Sequence, residues 1–223
     1  GQLYGMTTVG GRQGGGMVYR IEMPVPDIAV SGNGQNIANN DSTPSATDHT
    51  DFGQIPVASG SITRSLTIAN TGGLDLILGT VSITGANAGD FTVSTAPAAT
   101  VIVGGSTTLG ITFDPTAAGS RTAEVRFSTN DSDETPFTFV ITGTGNSPPT
   151  FAGMTIGAVQ GVPMRTNDAQ IISFASDIDD QTLNVTDLSA LSAHGAILTR
   201  NGGAITYTAP PAFTGADTFS LTL

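Results

Sequence analysis

Apolar and polar residues alternate in short runs along most of this 223-residue chain. Ile62, Leu66 and Ile68 fall on one side of an extended segment, as do Leu109, Ile111 and Phe113. Ala123, Val125 and Phe127 form a third set, and Phe137, Phe139 and Ile141 a fourth. A period of two is the mark of half-buried strands. Turn-forming clusters separate the runs: NTGG at 70–73, GANAGD at 85–90, GG at 104–105, DPTAAG at 114–119 and NDSDETP at 130–136. Strands about ten residues apart, punctuated in this way, predict an antiparallel sandwich over residues 27–145. Its expected core is Ile68, Leu76, Ile83, Phe91, Ile111, Phe113, Val125, Phe127, Phe139 and Ile141.

The segment GTGNSPPT, 143–150, reads as a short linker, bendable at its glycines and stiffened by the proline pair. Beyond it, residues 151–223 repeat the strand-and-turn style through Ile171, Leu183, Val185, Ile197, Ile205, Tyr207 and Phe219. Ahead of the first sandwich, residues 1–26 are glycine-rich and end in two prolines. No window holds a sustained 3.6-residue apolar period, so the fold class expected is all-β with almost no helix.

Composition narrows the function. Charged residues are 11% of the chain, against roughly 25% in a typical soluble domain. Hydroxyls, amides and backbone must therefore solvate the surface. The net charge of -11 comes from 18 acids against 7 arginines, with no lysine. A nucleic-acid partner is excluded by the lack of a basic face. Without lysine there are no Lys–Asn isopeptide staples, and without cysteine no disulfide, zinc-thiolate or thiol nucleophile. No apolar run approaches the ~20 residues of a bilayer span. No signal peptide precedes Gly1, so a secreted protein would be represented here by its mature form or an excised piece.

The run DFGQIPVASGSITRSLTIANTGGLDL, with ITGANAGDFTV and GGSTTLGITFDPTAAGSRTAEVRFSTNDSDETPFTFVITGTG, resembles the choice-of-anchor D type of domain, related to the immunoglobulin-like modules of the ASPM/SPD-2/Hydin group. NSPPTF, ASDIDDQTLNV and GAITYTAPPAFTGADTFSLTL resemble the bacterial cadherin-like, tandem immunoglobulin-like modules. Residues 1–22 are similar to a short glycine-rich repeat of the form LYG…T…GG…G…VFRI found in large secreted bacterial proteins. The resemblances imply two tandem immunoglobulin-like β-sandwiches, 27–145 and 146–223, behind a glycine-rich strand segment. They also imply an extracellular or cell-surface bacterial protein without catalysis of its own.

Three groups of residues carry candidate chemistry. In SDIDDQ, Asp177 and Asp179 point to one side of an extended chain, with Asp180 beside them. Carboxylates about 4 Å apart repel by roughly 1 kcal/mol in water and ~4 at an effective dielectric of 20. Such packing needs a solvated turn or a hard cation such as Ca²⁺, and both readings stand. The cadherin-like resemblance implies calcium held by Asp177 and Asp179 with the linker residue Asn146; Asp180 stands where glycine is common. The second acidic turn, NDSDE at 130–134, reads as a hairpin turn whose side chains bond their own backbone. The third group is GADTFSLTL, where Phe219, Leu221 and Leu223 alternate with hydroxyls as a strand edge. Related modules continue with one more strand, so this module is expected to lack its last strand and to accept one. Met17, Tyr19, Ile21 and Met23 alternate in the same way and form the candidate donor strand. Residues 17–25 serving as the first strand of their own domain, or the chain being a fragment, are the other readings.

Of the two histidines, His49 falls in NNDSTPSATDHTD, read as an exposed connection, and His194 in a His-Gly turn. No G-x-S-x-G elbow supports a triad, and the glycines at 10–16 lack the Lys-Ser/Thr of a phosphate loop. Sequons occur at Asn40, Asn130 and Asn184, as expected by chance in a Ser/Thr-rich chain. Two functions remain. One is a structural subunit of an extracellular filament, surface layer or adhesive stalk, self-associating as a homopolymer. The other is a binding or spacer module of a larger secreted protein, for which a surface glycan is an open partner.

Overall fold

The computed structural model describes residues 2–6, 18–57, 59–179, 182–211 and 213–223. They divide into two compact units, Gly1–Asn146 and Ser147–Leu223. In the first, β1 (Gln2–Met6) and β2 (Val18–Glu22) form an antiparallel hairpin pairing Leu3 with Ile21 and Gly5 with Tyr19. Among the described residues, neither strand joins the sheets of the sandwich.

That sandwich contains β3 (Ile28–Gly32), β4 (Gln35–Ile37), β5 (Asp51–Pro56), β6 (Ile62–Asn70), β7 (Leu76–Ile77), β8 (Ser82–Thr84), β9 (Phe91–Thr95), β10 (Thr100–Val101), β11 (Ser106–Phe113), β12 (Gly119–Phe127) and β13 (Phe137–Asn146). One sheet runs β4-β3-β6-β11-β9 and the other β5-β13-β12-β8, with β7 and β10 as a separate ribbon. All pairs are antiparallel except β5 with β13. Alternation does what the sequence demands: Leu109, Ile111 and Phe113 of β11 and Val125 and Phe127 of β12 turn inward and are buried. Nine of the ten expected core residues are buried; Ile83, on the short edge strand β8, is only partly covered. Phe91 and Phe113 stack with centroids 4.8 Å apart, and Phe52 meets Phe91 edge-on at 5.7 Å. The second sheet comes close to this cluster: a Cβ on Gly143 would lie 2.5 Å from the Phe113 ring.

One reading of this unit changes and another is extended. The 39–51 connection is packed rather than exposed. Asn40 donates to the Thr138 carbonyl, Val140 to that of Asp41 and Thr142 to that of Thr50, while Asp48 and Thr50 are buried. The acidic turn bonds its own backbone, Asp131 accepting from Asp133 N, and ties distant strands as well. Asp131 Oδ2 accepts from Ile28 N at 2.9 Å, and Asn130 Oδ1 from Ile77 N at 2.8 Å.

The second unit holds β14 (Thr150–Phe151), β15 (Met164–Asn167), helix α1 (Asp168–Ile172), β16 (Ala175–Ser176), β17 (Asp187–Leu188), β18 (Ile197–Asn201), β19 (Ala204–Thr208) and β20 (Leu221–Thr222). They form a β15-β19-β18 sheet and the pairs β14-β16 and β17-β20 around a small core of Ile171, Val185, Ala196, Leu198, Ile205 and Tyr207. Ile171, read from the sequence as a strand residue, is helical. The Asn167 side chain caps α1 by accepting from Gln170 N at 2.8 Å, with Asp168 in the first turn.

Candidate functional site

The acceptor edge is built by β20. Its register with β17 sets Leu221 opposite Leu188 and Thr222 opposite Asp187. Ser189 N donates to Ser220 O at 2.9 Å, and Thr186 N to Thr222 O at 2.8 Å. Backbone direction alternates along an antiparallel pair, so the N–H and C=O groups of Phe219 and Leu221 point away from β17. No strand of the described residues lies on that side. Phe219, Leu221 and Leu223 face the small core yet are only partly buried. An apolar row with half its cover, beside a line of outward backbone groups, is a template for another strand.

One residue missed in the sequence holds this edge in place. Asp217 sits just before it and accepts from the Ser192 hydroxyl, from Tyr207 OH at 2.9 Å and from both His194 N and His194 Nδ1 at 3.0 Å. Ala193 N donates to Thr218 O at 2.7 Å, and the His194 ring stacks on Phe213 at 4.3 Å. Burial alone would raise the Asp217 pKa. Hydrogen bonds from Ser192, His194 and Tyr207 outweigh it and hold the carboxyl well below the usual range. Although a serine, a histidine and an aspartate meet here, the serine bonds the carboxylate rather than the imidazole, so this is a structural clip. A pointer existed in the sequence: a lone acid flanked by Gly215, Ala216 and Thr218, preceding an apolar alternation.

Of the donor residues, Tyr19 and Ile21 stand on β2, Met23 is exposed, and Met17 lies outside the described residues. The acidic turn is divided likewise. Asp177 Oδ1 accepts from Asp179 N at 2.8 Å, a local turn, and Asp179 Oδ2 accepts from Ser147 N. Asp179 Oδ1 is buried and finds no hydrogen-bond donor among the described residues. A hard oxygen left without a donor fits a calcium ligand. Asp180 lies outside the described residues. Asn146 ends β13 in the first unit, where its Oδ1 accepts from Gln54 Nε2 at 3.3 Å. A group of three described carboxylates lies in the first unit: Asp27, buried Asp131 and Glu134, with oxygens within 4.8 Å of one another.

Comparison with known proteins follows the two units. Residues 45–155 match the family model of the HYDIN/CFA65/VesB-like, Ig-like domain, and residues 146–223 match that of a bacterial Ig domain. No curated protein matches the chain. Among solved structures, a protein of unknown function from Porphyromonas gingivalis is similar at 16% identity and a TM-score of 0.39, covering 65% of this chain and 66% of that one. The VesB protease of Vibrio cholerae is similar at 16% identity and a TM-score of 0.33, covering 48% of this chain and 31% of its own. The PapD-like domain 7 of human CEP192 is similar at 14% identity and a TM-score of 0.34, covering 54% and 85%. The chain thus spans under a third of the VesB chain and just under two thirds of the Porphyromonas one. By its strands and by the family models, the chain is two immunoglobulin-like β-sandwiches in tandem behind a glycine-rich N-terminal strand segment.

Proposed function

We propose that this chain is a structural module of an extracellular bacterial surface assembly, with a first module of the choice-of-anchor D type and a second of the cadherin-like type. Its copies join by strand addition at the open edge of β20. The observation in favour is that edge itself: outward backbone groups beside half-covered Phe219, Leu221 and Leu223. The donor in this reading is β2 of a second copy, carrying Tyr19 and Ile21, with Met17 and Met23 flanking. Its outer edge pairs with no strand among the described residues. Charge supports the match: residues 1–26 hold two arginines against one glutamate, whereas residues 147–223 hold six aspartates against two arginines. A head-to-tail contact of this kind does not close on itself, so it propagates as a filament.

Deleting residues 1–23 is the test. The intact chain is expected to form polymers visible by electron microscopy, and the shortened chain to remain a folded monomer. Polymers that persist after the deletion, or an intact chain that stays monomeric, overturn the reading in favour of a spacer module whose edge is filled within a longer chain. The same reading gives Asp177 and Asp179 to calcium, supported by the donorless Asp179 oxygen. A chelator is then expected to lower the melting temperature, and Asp179→Ala to abolish that response. Melting curves that ignore the chelator return the pair to a solvated turn.

A further inference from the structure

The second unit carries a cleft of about 440 Å³, lined by Thr186, Asp187, Leu188, Arg200, Gly202 and Gly203. That volume falls within the ~300–1,000 Å³ of small-molecule sites. Its polar wall is fixed in advance. Arg200 Nε donates to both oxygens of Asp168, at 3.1 and 3.2 Å, and Nη2 donates to Oδ2. Asp168 N in turn donates to Gly203 O at 2.9 Å, which joins the first turn of α1 to the β18–β19 hairpin. The guanidinium is thus held by one edge, leaving its other amino group free of Asp168. The exposed Asp187 lines the same cleft, and one of its oxygens accepts from Leu188 N at 2.9 Å. Gly202 and Gly203, at φ +56° and +80°, form the two-residue hairpin turn, and a Cβ at Gly202 would meet nothing within 4 Å, so backbone is approachable there.

The charges decide what fits. Asp168 already balances the Arg200 cation, and Asp187 adds a further negative charge, which disfavours an anion. Both Asp168 oxygens accept from Arg200, so Asp187 alone is too few ligands for a divalent cation. What remains is a donor and an acceptor lining one small cleft. Neighbouring hydroxyls answer both, since each donates to the carboxylate and accepts from the guanidinium. We propose that this cleft binds a neutral polyhydroxyl ligand, a hexose unit of a glycan chain.

The test is a titration of the full chain with glucose, galactose, mannose and N-acetylglucosamine, each into the millimolar range, followed by amide NMR. At least one sugar is expected to shift the amides of Asp187, Arg200, Gly202 and Gly203 saturably. Asp187→Ala is expected to weaken that binding roughly tenfold or more, about 1.4 kcal/mol, with melting unchanged. Thr186→Ala at the rim serves as a second variant and is expected to weaken it less. The proposal is overturned if none of the four sugars moves these amides, or if the shifts persist undiminished in Asp187→Ala. It is also overturned if sulfate, run in parallel, binds more tightly than every sugar.

Discussion

Carboxylates in the two units respond to acid in opposite directions. Asp217 is held below its ordinary value, so its stabilising contribution is present above that value, near 3.8, and is lost as pH falls through the depressed one. Glu134 is the reverse. Burial and the neighbouring charges of Asp131, Asp27 and Asp133 push it above its ordinary 4.5, so it favours the fold when protonated and loses that contribution as pH rises through the raised value. Glu134→Gln is therefore expected to raise the melting temperature of the first unit at neutral pH and to shrink the gain on mild acidification. Asp217→Asn is expected to lower that of the second unit at neutral pH and to flatten its fall in strong acid. Thermal melts of both variants against pH check this; a Glu134→Gln variant that is less stable at pH 7 refutes the first half. The core phenylalanines were legible because a period of two exposes them. Asp217 was not, because its meaning lies in Ser192, His194 and Tyr207, which only the fold brings to it.

Among elements, those with long registers were read well and those made by caps and loops were not. β11, β12 and β13 alternate in burial along their length except at Gly110 and Thr138, which are buried at outward positions. The helix α1 is only five residues long, too short for a helical period to show, and the signal for it was the cap Asn167 rather than any apolar spacing. The 39–51 connection reads as polar, but its side chains and carbonyls satisfy the edge of β13, a partner remote in sequence. β13 and its neighbour β12 yield two stability predictions. Phe127→Ala, which removes a ring stacked at 5.6 Å on Phe137, is expected to cost about 3–5 kcal/mol in denaturant unfolding. A cost under ~1 kcal/mol would show that the inward face is misassigned. Gly143→Ala sets a methyl against the Phe113 ring, which packed neighbours keep from yielding, and is expected to cost about 1–3 kcal/mol.

At the scale of the whole molecule, the two units differ most in how much apolar surface they bury. The first packs six phenylalanines, Phe52, Phe91, Phe113, Phe127, Phe137 and Phe139, between two full sheets, whereas the second closes over Ile171, Leu198, Ile205 and Tyr207 with short pairs of strands. A strand laid along β20 would cover the half-exposed row at the weaker core, so its binding free energy becomes stability of the second unit. Saturation at a hundredfold excess over the dissociation constant is worth about 2.7 kcal/mol by mass action. This can be measured without any polymer. A synthetic peptide of residues 17–25, added to the chain lacking residues 1–23, is expected to raise the melting temperature of the second unit with peptide concentration. The same peptide should slow amide exchange at Phe219 and Leu221, whose N–H groups point to the open side. A peptide with aspartate at both Tyr19 and Ile21 is expected to do neither, since the apolar alternation is what fills the row. Protection that appears equally with this substituted peptide, or stabilisation confined to the first unit, would mean that β20 is not where the donor binds.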